Sequence, residues 1–375
     1  MSRIEQLIAE LCPDGVEFKE LGEVCEFQRG QIITKKNTIE GDIPVIAGGQ
    51  NPAYYHNSSN RTGQTIAVSG SGAYAGFVSF WEIPIFLSDA FSVNPLKELL
   101  LTKYVYHFLK HNQVKIYGTQ KGSGVPHVHG SSIAKFPIPI PPLPIQQEIA
   151  RILDTFTYLD AELQAELEAR KKQYEHYRNQ LLNFEGKEVE WKTLGEVGKV
   201  CMCKRVMKHE TNSSGEIPFY KIGTFGKEAN AYISRELYDE YKKKFSFPSK
   251  GDILISASGT IGRRVIYDDK PAYFQDSNII WLSLTNNMLL NKYLYYIYET
   301  IEWPVEGGTI KRLYNDNFKK IKIPIPPLAE QERLVSILDK FEALVNEELP
   351  SEIAARRKQY EYYRVKLLTF EPLVS

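Results

Sequence analysis

Few residues in this chain have the types and spacing that catalysis needs. Asn51-Pro52-Ala53-Tyr54 is one proline short of the Asn-Pro-Pro-Tyr turn that clamps an amino-bearing base for methyl transfer. No Gly-rich strand-to-helix turn for a cofactor accompanies it, so a plain turn begun by Asn-Pro is the better reading. Pro13-Asp14 with Glu17 and Lys19 has the residue types of a nuclease metal centre, but its acids are too close in sequence to lie on separate strands. His127 and His129 would share one side of a strand and lack a third metal ligand, which leaves a solvent-facing or base-contacting role. Ser69-Gly70-Ser71-Gly72 lacks the Lys and Ser/Thr of a P-loop. Cys12, Cys25, Cys201 and Cys203 form no C-x-x-C pair and indicate neither a zinc site nor a disulfide framework. The expectation is a chain that binds rather than catalyses.

What recurs is polar, cationic and aromatic material in loops. The first half carries Arg29, Gln31, Lys35, Lys36, Gln50, Asn51, Tyr54, Tyr55 and His56, with Lys121, Ser123 and His127 further on. The second carries Lys204, Arg205, Lys208, Tyr220, Lys221, Arg263 and Arg264, with Lys311, Arg312 and Tyr314 further on. Arg, Lys, Gln and Asn supply the donors and acceptors that read base edges, while Lys and Ser hold phosphates. The chain is neutral overall, yet residues 19–135 carry 11 Lys+Arg against 8 Asp+Glu and residues 192–320 carry 20 against 15, leaving 15 against 23 elsewhere. Basic globular parts on an acidic remainder suit nucleic-acid contact by the former and protein contact by the latter.

The elements that must position these residues come twice. IPIPPLPIQQEIARILDTF (138–156) returns as IPIPPLAEQERLVSILDKF (323–341), 185 positions on, and ARKKQYEHYRNQLLNFE (169–185) returns as ARRKQYEYYRVKLLTFE (355–371), 186 positions on. One structural unit is therefore used twice. Between the near-constant segments lie variable stretches of short β-type runs broken by Gly, Asn and Ser, each interrupted by one helix, over 98–111 and 287–301. After the extended lead-in PIPIPPL, Ile149, Ile152, Phe156, Leu159, Leu163, Leu167, Arg170, Tyr174, Tyr177, Leu181 and Phe184 form a heptad seam with one stutter. The copy is Leu334, Ile337, Phe341 and Leu344, then Ile353, Arg356, Tyr360, Tyr363, Leu367 and Phe370. The residue added between these two runs turns a helix face by about 100°, and a break at Leu349-Pro350 is expected to restore the seam. Two such helices most simply bury their seams against each other, the alternative being that each packs on its own domain. No apolar run approaches the roughly 18 residues that span a bilayer, and the charged start MSRIEQLIAEL is unlike a signal peptide. A cytoplasmic location with no membrane contact is expected.

These motifs resemble the specificity subunits of Type I restriction–modification enzymes: IPIPPL followed by Gln146 or Gln331, and the closing KQYEHYRNQLLNF and KQYEYYRVKLLTF. The tandem tetrapeptide Asp160-Ala-Glu-Leu163, Gln164-Ala-Glu-Leu167 is of the kind such subunits use to set spacer length. The resemblance implies an α+β fold: two pseudo-symmetric, β-rich target-recognition domains joined by two long helices in an antiparallel coiled coil. The divisions expected are an N-terminal helix (1–15), a first recognition domain (16–143), a central helical region (144–186), a second recognition domain (187–328) and a C-terminal helical region (329–375). It also implies a non-catalytic reader of a bipartite, asymmetric site on double-stranded DNA. This chain would bind no cofactor; two methyltransferase subunits bring S-adenosylmethionine, and restriction/translocase subunits bring ATP and Mg. The alternatives are a specificity subunit serving a fused nuclease–methyltransferase, or a two-domain scaffold with no DNA role.

Overall fold

The computed structural model describes residues 2–307 and 311–373. The chain forms two compact units: residues up to Ala165 together with those from Ser351 onward, and Glu166–Pro350. The principal helices are α1 (Arg3–Leu11), α2 (Thr102–His111), α3 (Leu143–Leu181), α4 (Arg235–Lys244), α5 (Asn291–Thr300), α6 (Leu328–Ala343) and α7 (Leu349–Leu368).

In the first unit the strands are β1 (Glu17–Glu20), β2 (Cys25–Arg29), β3 (Ile43–Ile46), β4 (Tyr54–His56), β5 (Thr65–Ser69), β6 (Val78–Trp81), β7 (Phe86–Leu87), β8 (Ala90–Pro95) and β9 (Pro137–Ile140). They make an antiparallel sheet β2-β8-β5-β6, a small sheet β4-β3-β7 and a pair β1-β9. The second unit repeats this plan with β10 (Glu190–Thr193), β11 (Gly198–Cys201), β12 (Ile217–Tyr220), β13 (Tyr232–Ile233), β14 (Ile253–Ser256), β15 (Arg264–Ile266), β16 (Tyr273–Phe274), β17 (Ile279–Leu284) and β18 (Lys322–Ile325). Its sheets are β11-β17-β14-β15, β13-β12-β16 and β10-β18. The parallel pairings β3·β7 and β12·β16 also recur.

The proline-rich lead-ins are strands β9 and β18, paired with β1 and β10 so that Glu17 faces Ile140 and Glu190 faces Ile325. A proline at every second position of a two-stranded ladder spares the N–H groups that the ladder uses. The buried tyrosines Tyr104 and Tyr293 donate to the carbonyls of Pro139 and Pro324, at 3.0 and 3.1 Å, and tie each lead-in to the domain helix. The glutamine that follows explains the rest of the motif. Gln146 is fully buried: its Nε2 donates to the carbonyls of Leu99 and Pro141, both at 2.8 Å, and its Oε1 accepts from the Leu101 N–H at 2.9 Å. Gln331 does the same with Met288, Pro326 and Leu290. These glutamines cap α2 and α5 from outside, so both helices begin four residues later than their apolar periodicity predicts, at Thr102 and Asn291.

A second correction concerns α4, a helix beyond the one expected in each variable stretch, with no counterpart among the described residues of the first unit. Ser234 caps it by accepting from the Leu237 N–H, an N-terminal signal that was legible in Ser234-Arg-Glu-Leu.

The arms follow both packing alternatives at different points. Ile145, Ile149 and Leu153 of α3 are buried in the core of the first unit with Leu100, Tyr104 and Leu109. Leu334 and Leu338 of α6 are likewise buried, with Ile337 half-exposed beside them. Beyond these, seam meets seam. In the first unit Phe156 lies against Tyr360 and Tyr363, with ring centroids 6.0 and 5.6 Å apart, and Asp160 pairs with Arg357 at 2.7 Å. One helix ascends in number as the other descends, which is antiparallel pairing. In the second unit Tyr177 stacks on Phe341 at 5.9 Å. Leu167, Tyr174, Ile353 and Leu367 are buried, and Leu163 and Leu181 half-buried; Leu159 and Tyr177 keep 36% and 39% of their surface exposed, so they edge the seam rather than fill it.

The expected break at Leu349-Pro350 is absent. Residues Leu344–Glu348 form one π turn that carries α6 into α7, with the Leu349 N–H donating back to the Leu344 carbonyl. A π turn absorbs one surplus residue without ending the helix, and its wider hydrogen-bond ring relieves the clash between a proline ring and the carbonyl four residues earlier.

Candidate nucleic-acid interface

In each unit the end of the four-stranded sheet carries a turn of sequence Ser-x-Ser-Gly, residues 69–72 and 256–259. Gly72 and Gly259 have φ of +88° and +66°, the left-handed region that glycine alone enters without strain. The turn places the middle serine against a second short hairpin. Ser71 bridges His127, which is paired with Lys121 through two backbone bonds of 2.9 and 2.8 Å. Ser258 bridges Arg312, paired in the same manner with Glu306 at 3.0 and 2.8 Å. His127 and Arg312 thus occupy equivalent positions. The serine hydroxyls complete the likeness, Ser71 donating to the Asp89 carboxylate and Ser258 to Asn278 Oδ1.

Around His127 lies a concavity of about 600 Å³ lined by Phe27, Arg29, Asp89, His129 and Ser131 among others. The rings of His127 and His129 are near parallel, 6.5 Å apart. Around Arg312 lies one of about 350 Å³ lined by Arg205, Lys208, Lys221, Gln275, Asp276 and Asn278. Arg205 Nε donates to Asp276 Oδ2 at 2.8 Å and Arg312 Nη2 to the Ser277 carbonyl at 3.1 Å, so both guanidiniums are oriented yet keep further donors. No cluster of three metal-ligating side chains occurs among the described residues. Burial pushes the thiols of Cys25 and Cys203 up to about 12, so neither is a nucleophile at neutral pH.

The structure gathers some of the sequence candidates and separates others. Arg29 and His127 share the first concavity; Arg205, Lys208, Lys221 and Arg312 share the second. Gln31, Lys35, Lys36, Gln50, Asn51, Tyr55, Lys121 and Ser123 are exposed on the first domain, and Lys204, Lys311 and Tyr314 on the second, with the Arg312 guanidinium 6.0 Å from the Tyr314 ring. Four candidates are committed elsewhere. Tyr54 donates its hydroxyl to the Ile33 carbonyl. Tyr220, the last residue of β12, stacks on Phe274 at 5.9 Å and lines a separate concavity from that of Lys221. Arg263 donates to the Phe225 carbonyl at 2.8 Å. Arg264 is held by Glu299. Sequence reasoning missed Asp89, Gln275, Asp276 and Asn278. The signal for the acids was the Asp preceding each strand that pairs with the Ser-x-Ser-Gly strand, at 89 and 276.

The sequence model of the family described as Type I restriction modification DNA specificity domain matches residues 13–169 and again 186–355. The chain belongs to that family. A putative type I restriction enzyme specificity subunit of Haemophilus influenzae is 47% identical over 375 residues, covering 95% of this chain and 96% of the relative. The EcoR124I/EcoR124II specificity subunit of Escherichia coli is 35% identical over 293 residues, covering 72% and 71%. Among solved structures, the S subunit of a Type I restriction–modification system from M. genitalium superposes with a TM-score of 0.63 at 18% identity over 94% of this chain and 96% of that one. A chain from a study of complex assembly and conformational transition of the type I R-M system gives 0.59, also at 18%, over 96% and 98%. The specificity-subunit fold, with its duplicated α+β domains and long helices, is therefore this chain's fold.

Proposed function

We propose that each unit of this Type I specificity subunit reads one half of a bipartite, asymmetric DNA site through its concavity, in the major groove. The observation that carries the reading is the pair His127 and Arg312: one backbone device, the Ser-x-Ser-Gly bridge, presents different side chains at the same position of the two domains. A guanidinium with free donors matches the O6/N7 edge of guanine, whereas an imidazole makes a different contact, so the two half-sites differ in sequence. Exposed lysines around each concavity supply phosphate contacts. The arms set the unspecified spacer and dock two methyltransferase subunits, which bring S-adenosylmethionine; restriction/translocase subunits bring ATP and Mg. The chain itself is non-catalytic and acts in the cytoplasm. No helix among the described residues is long and apolar enough to cross a membrane.

The test is duplex-DNA titration of the complex with its modification subunits, across a salt series and with methylation mapping to define the site. Affinity should fall steeply and linearly in log–log form with salt, and the mapped methylated bases should lie in two unlike half-sites. Salt-independent or absent binding would leave a scaffold as the better description.

A further inference from the structure

A buried charge cluster in the second unit lies outside the concavity. Glu299, near the end of α5, is only 11% exposed, and its carboxylate accepts from Tyr174 at 3.0 Å and Arg178 Nη1 at 2.8 Å, both on α3, and from Arg264 Nη2 on β15. Arg264 also lies over the Tyr295 ring, 4.5 Å from its centroid, while its Nε has no partner. Removing three charges from water is expensive, and an apolar cluster of the same volume would hold the fold as well or better. What charged, forked hydrogen bonds add is a fixed geometry.

The geometry fixed is that of the β14–β15 hairpin. Arg264 begins β15, the strand that returns from the turn bearing Ser258, and the Arg263 N–H just before it donates to Ser256 Oγ at 2.9 Å. Ser258 in turn bridges Arg312. Glu299 thus reaches the proposed base reader through the short β14–β15 hairpin, by way of Arg264, the Arg263–Ser256 bond and the Ser258 bridge.

Among its described residues the first unit lacks this cluster. Lys110 stands where the second has Glu299, Val78 where it has Arg264, and Arg364 where it has Arg178. Lys110 Nζ reaches the Val78 carbonyl at 3.4 Å, and Arg364 pairs with Glu361 on its own helix. The hairpin there is held inside its domain by Gln113, which accepts from the Val78 N–H at 3.0 Å and donates to the Gly76 carbonyl at 2.7 Å.

We infer that Glu299 is a positioning residue that fastens the β14–β15 hairpin, whose Ser258 bridges Arg312, to α3, so that base discrimination by the second recognition domain, and not by the first, depends on this cluster. The inference rests on the DNA-reading function proposed above. Its test uses the complex with modification subunits and duplexes carrying the mapped site or a single mismatch in either half. Glu299→Gln keeps the shape and removes the charge; it should reduce mismatch discrimination in the second half-site roughly tenfold, as for coupled neighbours, and leave the first half-site unchanged. Tyr174→Phe removes one hydrogen bond with no change of charge and should act in the same direction by roughly threefold. Equal losses at both half-sites, or none in either variant, would overturn the inference. A wild-type complex that binds without discriminating at either half-site would overturn the DNA-reading function and the inference with it, whereas a discriminating wild type with indifferent variants overturns the inference alone.

Discussion

Arg312 shows how little of a side chain's role lies in its own identity. Its guanidinium is aimed by the Ser277 carbonyl and the Ser258 bridge, while Arg263 and Arg264, equally cationic and just after the Ser-x-Ser-Gly turn, spend their donors on Phe225 and Glu299. Arg312→Ala should therefore cost about 1–3 kcal/mol of DNA affinity and relax one position of one half-site. Arg312→Lys should keep the salt slope and lose the discrimination, because a point charge lacks the fork. Titrations on matched and singly mismatched duplexes separate the two effects. A second residue-scale expectation concerns acid. His111 is half-buried on α2; burial first, then Arg364 and Lys115, hold its pKa below the ordinary 6.5 against the opposing pull of Glu361. A depressed folded pKa means that the unfolded chain takes up a proton near 6.5 that the folded chain refuses. The contribution is present in full above that value and is lost as pH falls from it toward the folded pKa. Thermal midpoints measured down from neutral pH should fall in that window in the wild type, and His111→Gln should flatten the fall; parallel profiles would clear His111 of the effect.

At the scale of elements, the arms are held by devices that recur in both units: a buried glutamine capping the domain helix, a tyrosine bonded to the lead-in carbonyl, and an aromatic seam. The π turn at Leu344–Glu348 breaks the symmetry and reconciles an extra residue with Pro350. Deleting Asn346 should tighten the turn to an ordinary α-helix, in which Pro350 would clash with the preceding turn at a cost of about 3 kcal/mol. Deleting Asn346 together with Pro350→Ala should recover most of that loss. Chemical denaturation of the two variants decides it: equal stabilities would mean that the wide turn and the proline are unrelated.

At the scale of the molecule, α3 is the covalent passage between the units, its residues through Ala165 belonging to the first and those from Glu166 to the second. The tandem tetrapeptide straddles that passage. Inserting a third Gln-Ala-Glu-Leu after Leu167 adds about 6 Å of helix, which transmitted in full would lengthen the DNA spacer by nearly two steps of about 3.4 Å. The partner helix is not extended, and four residues also rotate the seam by about 40°, which local unwinding must absorb. The expected gain is about one base pair, with both half-site sequences retained. Methylation-site sequencing of the insertion variant reads both quantities, and an active enzyme with an unchanged spacer would show that the helices do not set the distance.

The duplication, the α+β class, the heptad seams and the family were legible in the sequence because each is written in local or periodic residue patterns: IPIPPL with its glutamine, the 3–4 spacing from Ile149 to Leu181, and the closing KQYEHYRNQLLNF and KQYEYYRVKLLTF. The proline lead-ins were also read as extended, since proline limits its own φ whatever surrounds it. What only the tertiary structure decided depends on partners far away in sequence. Gln146 caps a helix some 45 residues earlier; Arg264 is claimed by a carboxylate 35 residues later; His127 and Arg312 become equivalent only once serines from another strand bridge them. The π turn was hidden for a related reason: one surplus residue changes helical phase, but whether the chain breaks or widens a turn is settled by the packing on either side, not by the residues inserted.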